Sequence, residues 1–372
     1  MNPSTPLRWV REEWPLSVSL ITCVIFLLRG EDLWRGLSTP LSLGLIFIWL
    51  FAVVLGSALS VVRHAERVAV RLGEPYGTLI LTLLVTSIEV MSISAVMIHG
   101  ANNPTLVRDT LFSVVMIVLN GMVGLSLLIG GWRHREQQYN FQGANAYLGL
   151  ILPLAVLSLI LPNFTLTTVG PTLSRSQEMF LAVLSVGLYG AFLVMQTGRH
   201  RGYFILGPED KTGHHVQARH TAEWPMRHAI LLAAYMLPVV FLAVQLAHPV
   251  DYLIETLHAP TPLGGMIMAL LVATPEAIGA VRAAGSNHLQ RAVNIFLGSV
   301  LSTIGLTVPA MLAISELSGR SIVLGLQHTD FVMLLLTLAV SVVTFASGRT
   351  NVLQGAVHLL LFAAYLLLIF QD

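Results

Sequence analysis

Eleven stretches of roughly twenty predominantly apolar residues follow one another along the chain, near residues 14–29, 40–62, 77–99, 110–131, 145–162, 178–197, 228–248, 262–284, 292–315, 329–346 and 351–370. A hydrocarbon core about 30 Å thick takes about twenty residues to cross as a helix. Helices are favoured there because a helix satisfies every backbone hydrogen bond within one segment. Only 10% of the residues are charged, where an ordinary soluble domain carries about 25%. The expected class is therefore an all-α polytopic membrane protein with about eleven transmembrane helices. The last two spans are separated only by Ser347-Gly348-Arg349-Thr350, and fusing them would lower the count by one.

The basic residues orient the spans. With eleven crossings, Arg29, Arg35, Arg108, Arg175 and Arg320 fall on one side and the other fifteen of the twenty basic residues on the opposite side. By the positive-inside rule the richer side is cytoplasmic, which places the N-terminus and the long polar segment 198–227 inside and the C-terminus outside. The start of the chain, Arg8 and Arg11 before an apolar run, looks like a signal peptide, but no small-residue cleavage site follows. It reads as a retained first helix, residues 1–36. Two five-helix units then follow, 37–197 and 228–372, joined by the linker 198–227. Units with an odd number of spans insert in opposite orientations, the plan of an inverted-repeat transporter with its site near the midplane. The lone Cys23 is expected to fill space in the first helix.

Each unit carries one glutamate inside its second apolar span, Glu89 and Glu276. A carboxylate at bilayer depth costs roughly 2.5–3.5 kcal/mol even on lenient insertion scales, so such a residue marks a functional site by default. Thr78, Thr82, Thr86, Glu89 and Ser92 recur at steps of three or four and share one helix face. Around Glu276, Pro275 removes a backbone hydrogen bond and frees the Leu271 carbonyl, while Thr274 adds a hydroxyl. In the next span of each unit, Asn294 and Ser302, and Ser113 and Asn120, are expected to line the same path. Ser299 and Thr303 lie beside the first pair. The glycines Gly298, Gly305, Gly121 and Gly124 fit either a lining or tight helix packing.

No arginine or lysine lies at the depth of either glutamate. Desolvation and mutual repulsion then favour protonation or a shared metal cation. Where both compete for the same oxygens, binding one expels the other, which is the core of cation/proton antiport. Carboxylates, hydroxyls and carbonyls form an all-oxygen set suited to Ca2+, with Na+ or K+ as alternatives. Asp109, Glu178, Asp330, Glu31 and Asp32 fall at helix ends, where solvated charge is the expectation; Glu74 suits a turn. His200, His214, His215, His220 and His228 fall in or beside the linker and are expected to be solvated, with pH sensing as the alternative. No cofactor is expected beyond the transported ions. The partners are inorganic cations, protons and the lipid bilayer. No nucleic acid is expected, since Lys211 is the one lysine and no basic run occurs. A homo-oligomer is left open. A cation channel is the second reading and an intramembrane hydrolase built on Ser299 a remote third.

The segments Gly73-Glu74-Pro75-Tyr76-Gly77 running into Glu89, Pro104 to Thr110, Thr274-Pro275-Glu276, and Leu289 to Asn294 running on to Gly298–Leu306 resemble the cation/Ca2+ exchanger superfamily. Within it they are most similar to the bacterial ChaA-type calcium/proton exchanger branch, described as Na+(K+)/H+ and Ca2+/H+ antiporters. The likeness implies two inverted halves with Glu89 and Glu276 as the central cation/proton carboxylates. It also implies a bacterial inner membrane setting and no enzymatic activity. The Gly-Asn-x-x-Glu of plant and fungal relatives reads Val85-Thr86-Ser87-Ile88-Glu89 and Val272-Ala273-Thr274-Pro275-Glu276 here, so cation preference does not carry over.

Overall fold

The computed structural model describes residues 13–35, 40–72, 76–99, 103–206 and 225–371. Glu74, His214, His215 and His220, and the side chain of Thr78, lie outside the described residues. The described chain forms eleven long helices. They are α1 (Trp14–Arg35), α2 (Pro40–Leu72), α3 (Tyr76–His99), α4 (Leu106–His134), α5 (Phe141–Asn163), α6 (Arg175–Thr197), α7 (Pro225–Glu255), α8 (Pro262–Gly285), α9 (Leu289–Ser318), α10 (His328–Phe345) and α11 (Val352–Ile369). Nine of these are long and apolar enough to cross a membrane, and Thr82–Ile98 within α3 forms a shorter apolar helix.

Most boundaries agree with the hydropathy reading to within about a turn. Three do not: α1 runs on to Arg35, α2 to Leu72 and α7 to Glu255. The 33 residues of α2 and the 31 of α7 exceed the ~20 that a bilayer core requires. The extra turns of α2 carry Arg63 and His64, which the sequence places in a loop, and the first turn of α7 carries His228. The α10–α11 link is real: Gly348 takes φ +70, a conformation that costs glycine no steric strain. Beside it Arg349–Thr350 pair antiparallel with Gln137–Gln138, tying the link to the α4–α5 loop.

The helices pack around two apolar cores. The larger is centred on α4 and α9, through Leu111, Met116 and Leu119 against Phe296, Leu297 and Val300. The second joins α1, α2 and α7 through Phe26, Leu50, Val54, Tyr235, Leu242 and Leu246. Three helices contain a π-helical turn, α4 at Ile117–Met122, α5 at Val156–Ile160 and α9 at Thr303–Thr307. Such turns are rare and concentrate at functional sites.

Glycines set how closely α4 meets its neighbours. A Cβ at Gly355 of α11 would lie 2.6 Å from the Leu128 amide nitrogen and 2.9 Å from the Gly124 carbonyl, and one at Gly124 would run into Leu359. A Cβ at Gly305 would crowd the Tyr189 ring at 3.2 Å, which makes it a packing glycine, whereas Gly121 and Gly298 leave ordinary contact distance to Phe362 and Tyr147. Gly355→Val is expected to lower the melting temperature in detergent markedly, since overpacking costs about 1–3 kcal/mol even where the neighbours can give. Gly149→Ala, which meets nothing within 4 Å, is the control and should leave it unchanged.

Candidate ion site

Glu89 lies on α3, 2% exposed, and Glu276 lies on α8, partly exposed. One face of α9 serves both acids. Thr303 Oγ1 donates to Glu89 Oε2 at 3.0 Å, and Ser299 Oγ donates to Glu276 Oε2. The Thr307 hydroxyl faces Glu89 without closing a hydrogen bond. These three hydroxyls are spaced by fours. A four-residue step over-rotates an α-helix by about 40°. In the wider i→i+5 turn of Thr303–Thr307 the same step falls short of a full revolution, which returns Thr307 to the line of Ser299. The π turn thus keeps one hydroxyl file on two carboxylates.

The two acids are near enough for their charges to repel, and among the described residues neither has an ion-pair partner. Glu89 Oε1, Thr86 Oγ1 and Thr307 Oγ1 are buried and close no hydrogen bond, although Thr307 faces the carboxylate. Leaving a buried polar atom unpaired costs roughly 1–3 kcal/mol. With Thr86 one turn before Glu89 on α3 and Thr307 facing it from α9, the carboxylate and two hydroxyls make an oxygen-lined position that a proton or a hard cation would satisfy.

The remaining candidates divide. Thr86 and Ser92 are buried on α3, and Thr82 pairs with the Tyr189 hydroxyl of α6. Ser302 donates to its own helix at the Ser299 carbonyl, 2.9 Å, and Thr274 to the Leu270 carbonyl, 2.5 Å. Pro275 does not break α8, which runs unbroken from Pro262 to Gly285; the hydrogen bond missing at one carbonyl is tolerated within a continuous helix. Three lining expectations are corrected. Asn294 donates to the Phe204 carbonyl at 2.8 Å and accepts from Gln290, fastening the start of the linker to α9. Ser113 accepts from Tyr365 at 2.7 Å. Asn120 donates to Thr337 at 2.8 Å and faces His358. The last two join α4 to α10 and α11, where buried amides and hydroxyls bond across helices instead of facing a path.

Asp109 is also corrected. It is 2% exposed and paired at 2.8 Å with Arg108, itself 6% exposed, so it is no solvated helix end. Thr307 is the site residue absent from the sequence expectations, and Ser299 and Thr303, expected only beside the lining pair, are the ones that bond the acids. Their signal was the hydroxyl stripe Ser299, Thr303, Thr307, one position away from the face chosen.

Eleven helices around two acids that have no cationic partner among the described residues define a multi-pass membrane transporter. Residues 42–198 and 227–371 match the family model described as sodium/calcium exchanger protein. Over 374 residues the chain is 40% identical to the sodium-potassium/proton antiporter ChaA of Escherichia coli K12, covering 99% of each. It is 44% identical over 315 residues to the putative ionic transporter y4hA of Sinorhizobium fredii, covering 84% of this chain and 85% of that one. Among solved structures, native YfkE superposes with a TM-score of 0.73 at 18% identity, covering 96% of this chain and 100% of the other. This chain belongs to the sodium/calcium exchanger protein family.

Proposed function

We propose that the protein is a secondary antiporter that exchanges cytoplasmic cations for protons by alternating access, with Glu89 and Glu276 binding either ion. The observation that carries this reading is the buried Glu89 carboxylate, which has no cationic partner among the described residues and whose Oε1, like the hydroxyls of Thr86 and Thr307, closes no hydrogen bond. A carboxylate that no cationic side chain neutralises must take its positive charge from an ion. Because a proton and a metal cation satisfy the same oxygens, each displaces the other. Thr303 and Ser299 hold the second oxygen of each acid, and Ser92 and Thr82 continue the polar face of α3. The all-oxygen donor set favours hard cations, Ca2+ or Na+ and K+, and the relative ChaA is named a sodium-potassium/proton antiporter, which argues against a channel.

The same reading places the chain in a bacterial inner membrane with the N-terminus and central linker cytoplasmic and the C-terminus periplasmic. The halves 37–197 and 228–372 are its inverted repeats. The test uses everted membrane vesicles energised by respiration, with Ca2+, Na+ and K+ added separately. Antiport predicts that the transported cation dissipates an acid-interior pH gradient. Cation flux that proceeds without proton movement would instead establish a channel.

A further inference from the structure

At the cytoplasmic end of the α1–α2–α7 core lies a buried polar cluster that ion exchange does not use. Glu13, immediately before α1, is 5% exposed, and its Oε2 accepts from Tyr235 OH at 2.9 Å, Arg63 Nη2 at 3.1 Å and His64 Nε2 at 3.2 Å. The other nitrogen of His64, Nδ1, lies 3.0 Å from Nδ1 of His228. His64 is 0% and His228 3% exposed. The cluster therefore joins the first helix, which stands outside the two halves, to the far end of α2 and to the first turn of α7, where the chain returns from the linker.

We propose that this dihistidine contact is a second proton-binding site, a pH-operated latch that holds α1, α2 and α7 together when the cytoplasm is alkaline and releases them when it turns acid, slowing exchange. The inference rests on the antiport reading and adds a regulator to it. Its sign follows from counting protons. Two ring nitrogens 3.0 Å apart share one proton between them, and a second would set two N–H groups head-on. Packed, the pair binds at most one proton beyond its neutral form; separated and hydrated, it binds two. Acid favours whichever state binds more protons, so falling pH favours separation.

Glu13 is not the titrating group. Burial pushes its carboxyl up, but the hydrogen bonds from Tyr235 and His64 and the charges of His64 and Arg63 outweigh that and hold it below its ordinary value. It stays ionised across the range in which histidine changes charge, between about pH 5 and 8. Among the described residues, the charged and titratable groups presented to the pair include Glu13 from before α1, Arg63 from α2 and Tyr235 from α7, with Arg227 preceding His228 in the chain. Because the core that α1, α2 and α7 share also takes in Ile88 of α3 and Ile267 and Leu271 of α8, releasing the latch loosens the packing behind the two helices that carry the glutamates.

The experiment is radiolabelled Ca2+ or Na+ self-exchange by the full-length protein in proteoliposomes, with equal pH on both sides, from about pH 5.5 to about pH 8.5. Proton competition at the glutamates raises the half-saturating cation concentration, whereas release of the latch lowers the maximal rate at saturating cation. The wild-type maximal rate should fall at least about threefold between about pH 8 and about pH 6. His228→Asn keeps a hydrogen-bonding amide opposite His64 but takes no proton, and should flatten that fall. Tyr235→Phe removes one donor from Glu13 and should move the fall to higher pH. Superimposable maximal-rate profiles, or both variants shifting the same way, overturn the latch. In the wild type alone, hydrogen exchange at the start of α1, corrected for intrinsic rate, should quicken on acidification, and a pH-independent rate overturns it too. Absence of exchange at any pH would instead refute the antiport reading.

Discussion

Glu89→Gln is expected to eliminate cation/proton exchange while leaving the protein at least as resistant to heat as the wild type. The substitution keeps the shape of the side chain and the acceptor that Thr303 Oγ1 bonds at 3.0 Å. It removes the charge that an incoming cation would neutralise. Truncating one partner of a buried charge pair costs roughly 2–5 kcal/mol of binding, about thirtyfold to several thousandfold in affinity at 1.4 kcal/mol per tenfold. A neutral amide also cannot carry a proton, so coupling is lost along with affinity. Stability moves the other way. Glu89 Oε1 is buried without closing a hydrogen bond and Glu276 repels it, so discharging Glu89 removes an uncompensated buried charge. Glu276→Gln should behave alike. Exchange driven by a proton gradient and a melting temperature in detergent, measured on the same preparation, separate the outcomes. Exchange surviving in Glu89→Gln refutes the site, and lost exchange with a lowered melting temperature reassigns Glu89 to structure.

Those two glutamates were legible because their cost is absolute: a carboxylate amid apolar helix has no bland explanation at that depth. The eleven helices were legible for a related reason, since the bilayer imposes both length and backbone pairing. What failed were inferences from polarity alone. Asn120, Ser113 and Asn294 looked like lining, but each found a partner on a neighbouring element, Thr337, Tyr365 and the Phe204 carbonyl. Partnering across helices leaves no trace in the sequence of one helix. His64 and His228 looked like loop residues because hydropathy ends a span at the first charges. The helices continue, and the two rings, 164 positions apart, bury each other. The hydroxyl file Ser299, Thr303, Thr307 was hidden by geometry. A strict α-helical period spreads it over a wide arc, and the π turn that realigns it carries no sequence signature of its own.

Arg108→Ala should be the most damaging substitution away from the glutamates, and Asp109→Asn should rescue it in part. The Arg108 guanidinium holds Asp109 Oδ1 through Nε and Nη2, both at 2.8 Å, and reaches the Gly325 carbonyl beyond α9 at 3.2 Å. Thr105 Oγ1 donates to the other carboxylate oxygen at 2.8 Å. Gly265 of α8 seals the pair from the far side, since a Cβ there would stand 2.5 Å from the Asp109 carbonyl carbon. Few waters can reach a charge so enclosed. Removing one member of a buried pair costs about 3–5 kcal/mol, because the other is left charged and unpaired. The position of Asp109 in the first turn of α4 recovers only part of that, at most ~2 kcal/mol from the helix dipole. Neutralising Asp109 in the same molecule removes the stranded charge, so the double variant should melt above Arg108→Ala alone, with a coupling of about 2 kcal/mol. A double variant that melts below both singles, as additive damage would require, shows that Arg108 acts through Gly325 and not through its carboxylate partner. The same cycle read by exchange activity tests what the pair is for. Arg108 and Asp109 touch neither glutamate, so variants that still fold should retain transport, and their loss of stability should appear as lost yield and not as a changed cation preference.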